Sequence, residues 1–109
     1  FDNDCFNDYI QYGFTECEHG VRLTIPVATE VAIFRSVPSN SWQYWRKLKM
    51  PTALVVGKQS HFAQTGCPER LLRFQPVRLI YTEGGHMFPL EKPLETAALV
   101  KQLFDELVG

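Results

Sequence analysis

Apolar positions are spaced differently in the two halves of this chain. In the second half, Thr52-Ala53-Leu54-Val55-Val56 is nearly uninterrupted apolar sequence that stops at Gly57. Such a run, without polar alternation, predicts a strand buried on both faces, as in a parallel sheet. Pro68 to Phe74 predicts a short helix, and Val77-Arg78-Leu79-Ile80-Tyr81 predicts a second strand. From Pro93 to Leu107 the period changes to that of a helix. Leu99, Val100, Leu103, Phe104 and Leu107 share one stripe, and Glu95, Lys101, Gln102, Asp105 and Glu106 lie opposite. Strand, helix, strand, helix is the βαβα order of a parallel α/β fold. Two strands alone do not make a stable sheet. Further strands from upstream chain, or other copies of this chain, are expected to complete it.

The first half is rich in aromatic residues and in Asn, Asp and Ser. Asp4 to Tyr12 predicts a helix, with Gly13 suited to the left-handed position that ends one. Phe14 to Cys17 and Val21 to Ile25 alternate around Glu18-His19-Gly20, the pattern of a short hairpin. Pro26 can open a helix running to Arg35, with Val27, Val31 and Phe34 near helical spacing. Ser39 or Asn40 can cap another helix ending near Leu48, which carries Trp42 and Trp45. No internal repeat or low-complexity segment interrupts this order.

Composition narrows the class. The chain has 109 residues, with 45% hydrophobic and 21% charged, the proportions of one ordinary globular domain. Eleven basic and twelve acidic residues give a net charge of −1, so neither a nucleic-acid footprint nor a basic membrane contact is expected. Cys5, Cys17 and Cys67 are an odd number with no CxxC, which favours free thiols and a reducing, cytoplasmic setting. The chain has no apolar run long enough to cross a membrane. Phe1-Asp2-Asn3-Asp4 lacks the basic and apolar regions of a signal peptide. With Phe1 in place of an initiator Met, the segment is expected to continue a longer coding sequence or to follow processing.

The candidate chemistry lies in Gly84-Gly85-His86-Met87-Phe88-Pro89-Leu90-Glu91-Lys92-Pro93. His86 follows the end of a predicted strand and precedes a helix. Sites in open α/β sheets form at the carboxyl ends of strands. The two glycines let the backbone turn sharply and aim the imidazole at the sheet edge. An imidazole there can exchange a proton near neutral pH. This stretch, running into an Ala- and Leu-rich helix, resembles the last segment of the α/β-hydrolase family. Met50-Pro51-Thr52-Ala53-Leu54-Val55-Val56-Gly57 resembles that family's penultimate strand. The resemblance divides the chain into 1–49, the end of a helical cap and the helix returning to the sheet, and 50–109, the C-terminal part of the core. It implies a serine-hydrolase role for the whole protein, esterase-like, on a small ester or related apolar substrate. His86 would be its catalytic general base.

The same resemblance exposes a departure. The family order is Ser, then Asp or Glu, then His, and the acid orients the base and stabilises its imidazolium. The acid is expected a few residues after the penultimate strand, where this chain reads Gly57-Lys58-Gln59-Ser60-His61-Phe62. Ser60 or His61 therefore stands where Asp is expected. Three alternatives stand: the acid lies on an earlier strand outside the chain, Glu83 serves, or the triad is incomplete. No Gly-x-Ser-x-Gly elbow surrounds Ser36, Ser39, Ser41 or Ser60, so the nucleophile and oxyanion hole are expected from the missing N-terminal part of the same hydrolase. The 109 residues alone are expected to be catalytically silent. A non-catalytic binding or assembly role is the alternative. Cys67, before Pro68, reads as a small apolar residue at a helix start rather than a nucleophile. Cys17 and His19 lack the second ligand pair that zinc needs, so no metal or cofactor is expected. Trp42, Tyr44 and Trp45 read as core residues of the returning helix, with a substrate-pocket role as the other option.

Overall fold

A computed structural model describes all residues from Phe1 to Gly109. Its elements in order are α1 (Asn3–Gly13), β1 (Phe14–Cys17), β2 (Gly20–Leu23), α2 (Val27–Arg35), α3 (Trp42–Trp45), β3 (Ala53–Gly57), α4 (His61–Gln64), α5 (Cys67–Leu71), β4 (Arg78–Thr82), α6 (Phe88–Glu91) and α7 (Pro93–Val108). The protein is thus mixed helix and strand, with two separate two-stranded sheets. β3 and β4 pair in parallel, Ala53 opposite Arg78 through Gly57 opposite Thr82. The connection between them carries α4 and α5, because parallel neighbours need a crossover. β1 and β2 form the expected hairpin, Phe14 opposite Leu23 and Cys17 opposite Gly20. Gly20 takes a positive φ of 141° at that turn, a conformation that costs glycine little.

The core is thin. Val56 and Leu103 are the buried hydrophobic side chains, at 4% and 5% exposure. Val56 comes from β3 and Leu103 from the middle of α7. The radius of gyration is 17.5 Å, against about 13 Å for a compact domain of this length. α1, the hairpin and α2 contain no buried residue. They join the rest chiefly at the start of the chain, where the Asp2 N–H donates to the Leu90 carbonyl at 2.7 Å. The Asp2 side chain also caps α1, accepting from the Asp4 N–H at 2.9 Å. The segment around α3 is anchored better. Trp45 Nε1 donates to the Leu71 carbonyl at 2.9 Å, and Gln75 Nε2 donates to the Leu48 carbonyl at 2.8 Å.

Several expectations are corrected. Gly13 is the last residue of α1 and has no positive φ; the chain passes directly into extended Phe14. The hairpin then takes over, with the Thr24 N–H donating to the Gly13 carbonyl at 2.9 Å. The helix expected from Ser39 or Asn40 to Leu48 shrinks to the single turn of α3, flanked by Ser41, which makes no side-chain cap. β3 is not buried on both faces: Ala53, Leu54 and Val55 are half-buried, and burial is complete only at Val56 and Gly57. The stripe expected on α7 splits. Leu99, Leu103 and Leu107 turn inward, while Val100 and Phe104 are exposed. Each lies one residue, about 100° of helical turn, from the inward row. On the outer face Lys101 bonds Asp105 at 2.7 Å, Gln102 bonds Glu106 at 2.8 Å, and Glu106 pairs with Arg78 at the start of β4.

Candidate functional site

The carboxyl ends of β3 and β4 lead into two loops that clamp each other. The Lys58 N–H donates to the Thr82 carbonyl at 2.8 Å, and the Gln59 N–H to the Gly84 carbonyl at 3.0 Å. The Gln59 side chain completes the exchange, with Oε1 accepting from the Gly84 N–H at 2.7 Å. The loops can approach this closely because Gly57 has no side chain. A Cβ there would overlap the carbonyl oxygens of both Gly85 and Gly84. Gly84 has a φ of 121°, and a Cβ on it would press on Phe88. Gly57 and Gly84 are therefore packing requirements. Glu91 adds a tie that the sequence did not disclose. Its Oε2 accepts from the Gly85 N–H at 2.8 Å, reaching back from α6 across the loop.

This clamp carries His86 to Ser60. Ser60 Oγ lies 3.2 Å from His86 Nδ1, across 26 residues of sequence. Ser60 is 2% exposed, whereas His86 is exposed. Ser60 also caps α4, its Oγ accepting from the Phe62 N–H at 3.2 Å. Of the two residues expected near the acid position, Ser60 meets His86; His61 is exposed and makes no side-chain hydrogen bond to it. Glu83 is not the partner either. Its carboxylate accepts from Lys58 Nζ at 2.5 Å and from Gln59 Nε2 at 3.3 Å. The Lys58 hydrogen bond, then the Gln59 bond and the Lys58 charge, hold the Glu83 carboxyl below its ordinary value of 4.5. The imidazole therefore has a hydroxyl, not a carboxylate, at Nδ1.

An open apolar groove of ≈ 300 Å³ is lined by Ser41, Trp42, Trp45, Phe62, Cys67 and Leu71, and neither Ser60 nor His86 lines it. Phe62 links the two features, since its N–H bonds Ser60. Trp42 is 49% exposed and Tyr44 55%, so neither is a core residue as expected; Trp45 is half-buried. Trp42 instead packs edge-on against Phe74, with ring centres 6.2 Å apart, and the Arg46 guanidinium lies 4.6 Å from the Phe74 ring centre. Cys67 forms part of the groove wall, half-buried, and all three cysteines are free. No three His, Cys, Asp or Glu side chains converge as metal ligands, and no helix is long and apolar enough to cross a membrane.

The arrangement can present an imidazole at the carboxyl edge of a parallel strand pair. Comparison with known proteins finds no family model, no curated protein and no solved structure that matches this chain.

Proposed function

We propose that residues 50–109 form the C-terminal part of an α/β-hydrolase core, and that His86 serves as general base in hydrolysis of a small ester-like, apolar substrate. The observation that carries this reading is the position of His86 in the loop at the carboxyl ends of parallel β3 and β4. A histidine anchored through Nδ1 leaves Nε2 for the reacting groups. The apolar groove of Trp42, Trp45, Phe62 and Leu71, joined to Ser60 through the Phe62 N–H, supports an apolar substrate. In the proposed reaction a serine from chain outside these residues attacks the ester carbonyl. His86 takes the serine proton and passes it to the leaving alcohol. It then takes a proton from water as water attacks the acyl-enzyme, and returns that proton to the serine as the acid leaves.

The test is His86→Ala in the protein that carries this segment together with its upstream chain, assayed on a p-nitrophenyl ester of short chain length. A fall in kcat/KM on the order of 10³-fold or more, with the circular dichroism unchanged, supports the reading. Unchanged turnover removes His86 from the mechanism. The second reading, a non-catalytic binding or assembly part, is favoured by one observation: Ser60 occupies the place facing Nδ1 where a carboxylate would stabilise an imidazolium. Absence of any esterase activity in the wild-type protein would support that reading.

A further inference from the structure

We infer that Ser60 is a positioning residue for His86 and holds the neutral imidazole with its proton on Nε2. The inference deepens the proposed general-base role and depends on it only for the catalytic consequence. The tautomer itself follows from counting donors and acceptors.

A serine hydroxyl has one proton to donate and two lone pairs that accept. Ser60 Oγ makes two contacts, the Phe62 N–H at 3.2 Å and His86 Nδ1 at 3.2 Å. The Phe62 N–H can only donate, so it uses one lone pair. Suppose Nδ1 carried the imidazole proton. It would take the second lone pair, and the hydroxyl proton would have no acceptor in a residue that is 2% exposed. If Nδ1 is bare, the hydroxyl donates to it and every group at Ser60 is satisfied. An unmade bond at a buried donor biases such an equilibrium by about tenfold or more. The imidazole proton then sits on Nε2.

The chemical consequence is specific. A general base needs a lone pair on the nitrogen that faces the reacting hydroxyl. A carboxylate facing Nδ1 would place the proton there and leave Nε2 bare. Ser60 does the reverse. In its resting state His86 offers a hydrogen-bond donor at Nε2, and only the minor tautomer can act as base. Ser60 therefore lowers the rate of the proposed reaction by about tenfold or more.

The tautomer can be read directly on the full chain by long-range proton–nitrogen correlation NMR of the His86 ring. The measurement is made about two pH units above the ordinary imidazole range. The wild type is expected to show the bare nitrogen at Nδ1, and Ser60→Thr, which keeps the hydroxyl and the helix cap, to show the same. Ser60→Asp caps a helix equally well but cannot donate, so the bare nitrogen moves to Nε2. In Ser60→Ala the ratio relaxes to that of a histidine in a short peptide. A protonated Nδ1 in the wild type overturns the inference, as does a wild-type ratio identical to that of Ser60→Ala. So does a Ser60→Asp spectrum that matches the wild type. None of these readings needs turnover, so they stand apart from the His86→Ala assay. Where turnover is present, Ser60→Asp is expected to raise kcat/KM about tenfold or more. A fall in kcat/KM with the tautomer switched would mean that His86 is not the base, leaving the assignment of Ser60 intact.

Discussion

Gly57→Ala tests whether the site is built by the close approach of two loops. Gly57 is buried at the end of β3, and an added Cβ would overlap the Gly84 and Gly85 carbonyls. Both obstacles are backbone, so no side chain can rotate away. The loop at 84–86 must move outward by a large fraction of an ångström or more. That movement opposes the Gln59 N–H to Gly84 carbonyl bond at 3.0 Å and the Gly84 N–H to Gln59 Oε1 bond at 2.7 Å. Two such bonds are worth about 0.5–1.5 kcal/mol each, and overpacking of a tight site costs about 1–3 kcal/mol by direct measurement in other proteins. The two routes agree on a loss of about 1–3 kcal/mol. Urea unfolding followed by tryptophan fluorescence reads it as a lower midpoint at an unchanged slope. Gly13→Ala is the control. Gly13 ends α1, has no atom within 4 Å of an added Cβ and has no positive φ. It is expected to be neutral or to stabilise by about 0.5–1 kcal/mol. A Gly57→Ala midpoint equal to that of the wild type would mean that the loops are not packed as described, and the Ser60–His86 contact would lose its structural basis.

Leu103→Ala removes one of the two buried hydrophobic side chains and is expected to cost about 2–3 kcal/mol, the lower part of the usual range because the surroundings are open; Phe104→Ala, at 64% exposure, should cost under about 1 kcal/mol, and the reverse ranking in urea would place the inward face of α7 elsewhere. Glu83 has a folded value below its unfolded one, so the Lys58–Glu83 contribution is present above pH 4.5 and is lost as pH falls through the lowered value. Carbon NMR of the Glu83 carboxyl should titrate below 4.5 in the wild type and move upward in Lys58→Met; a wild-type midpoint above 4.5 refutes the pairing. Trp45→Phe deletes the Nε1 donor to the Leu71 carbonyl and is expected to destabilise by about 1 kcal/mol. An unchanged midpoint would show that this bond does not anchor α3.

β3, β4 and α7 were legible from the sequence alone, whereas the single turns α4 and α6 were not, and the helix expected from Pro68 to Phe74 is the shorter α5, Cys67–Leu71. The apolar run ending at Gly57, the shorter run to Tyr81 and the helical period after Pro93 mark β3, β4 and α7 within a residue or so of their observed bounds. Their signals are local: strand burial, turn glycines and a 3.6-residue period each act within a few residues. The hairpin was legible for the same reason. What the sequence could not decide was where each side chain ends up across the fold. Val100 and Phe104 fit the apolar stripe of α7, yet one step of rotation leaves both exposed. Trp42 looks like a core residue and packs at the surface on Phe74. The candidate site shows the same division. His86 was singled out by its local setting of glycines, strand end and helix start. In the sequence, Ser60 or His61 stands where the acid is expected, and the acid stays open between Glu83, a residue outside the chain and none at all. That Ser60 faces His86 is not legible, because 26 positions separate them. Only the parallel register of β3 and β4, and the space left by Gly57, bring Ser60 Oγ to Nδ1 while Lys58 and Gln59 draw Glu83 away. Local propensity specifies the pieces; long-range packing decides which of them meet.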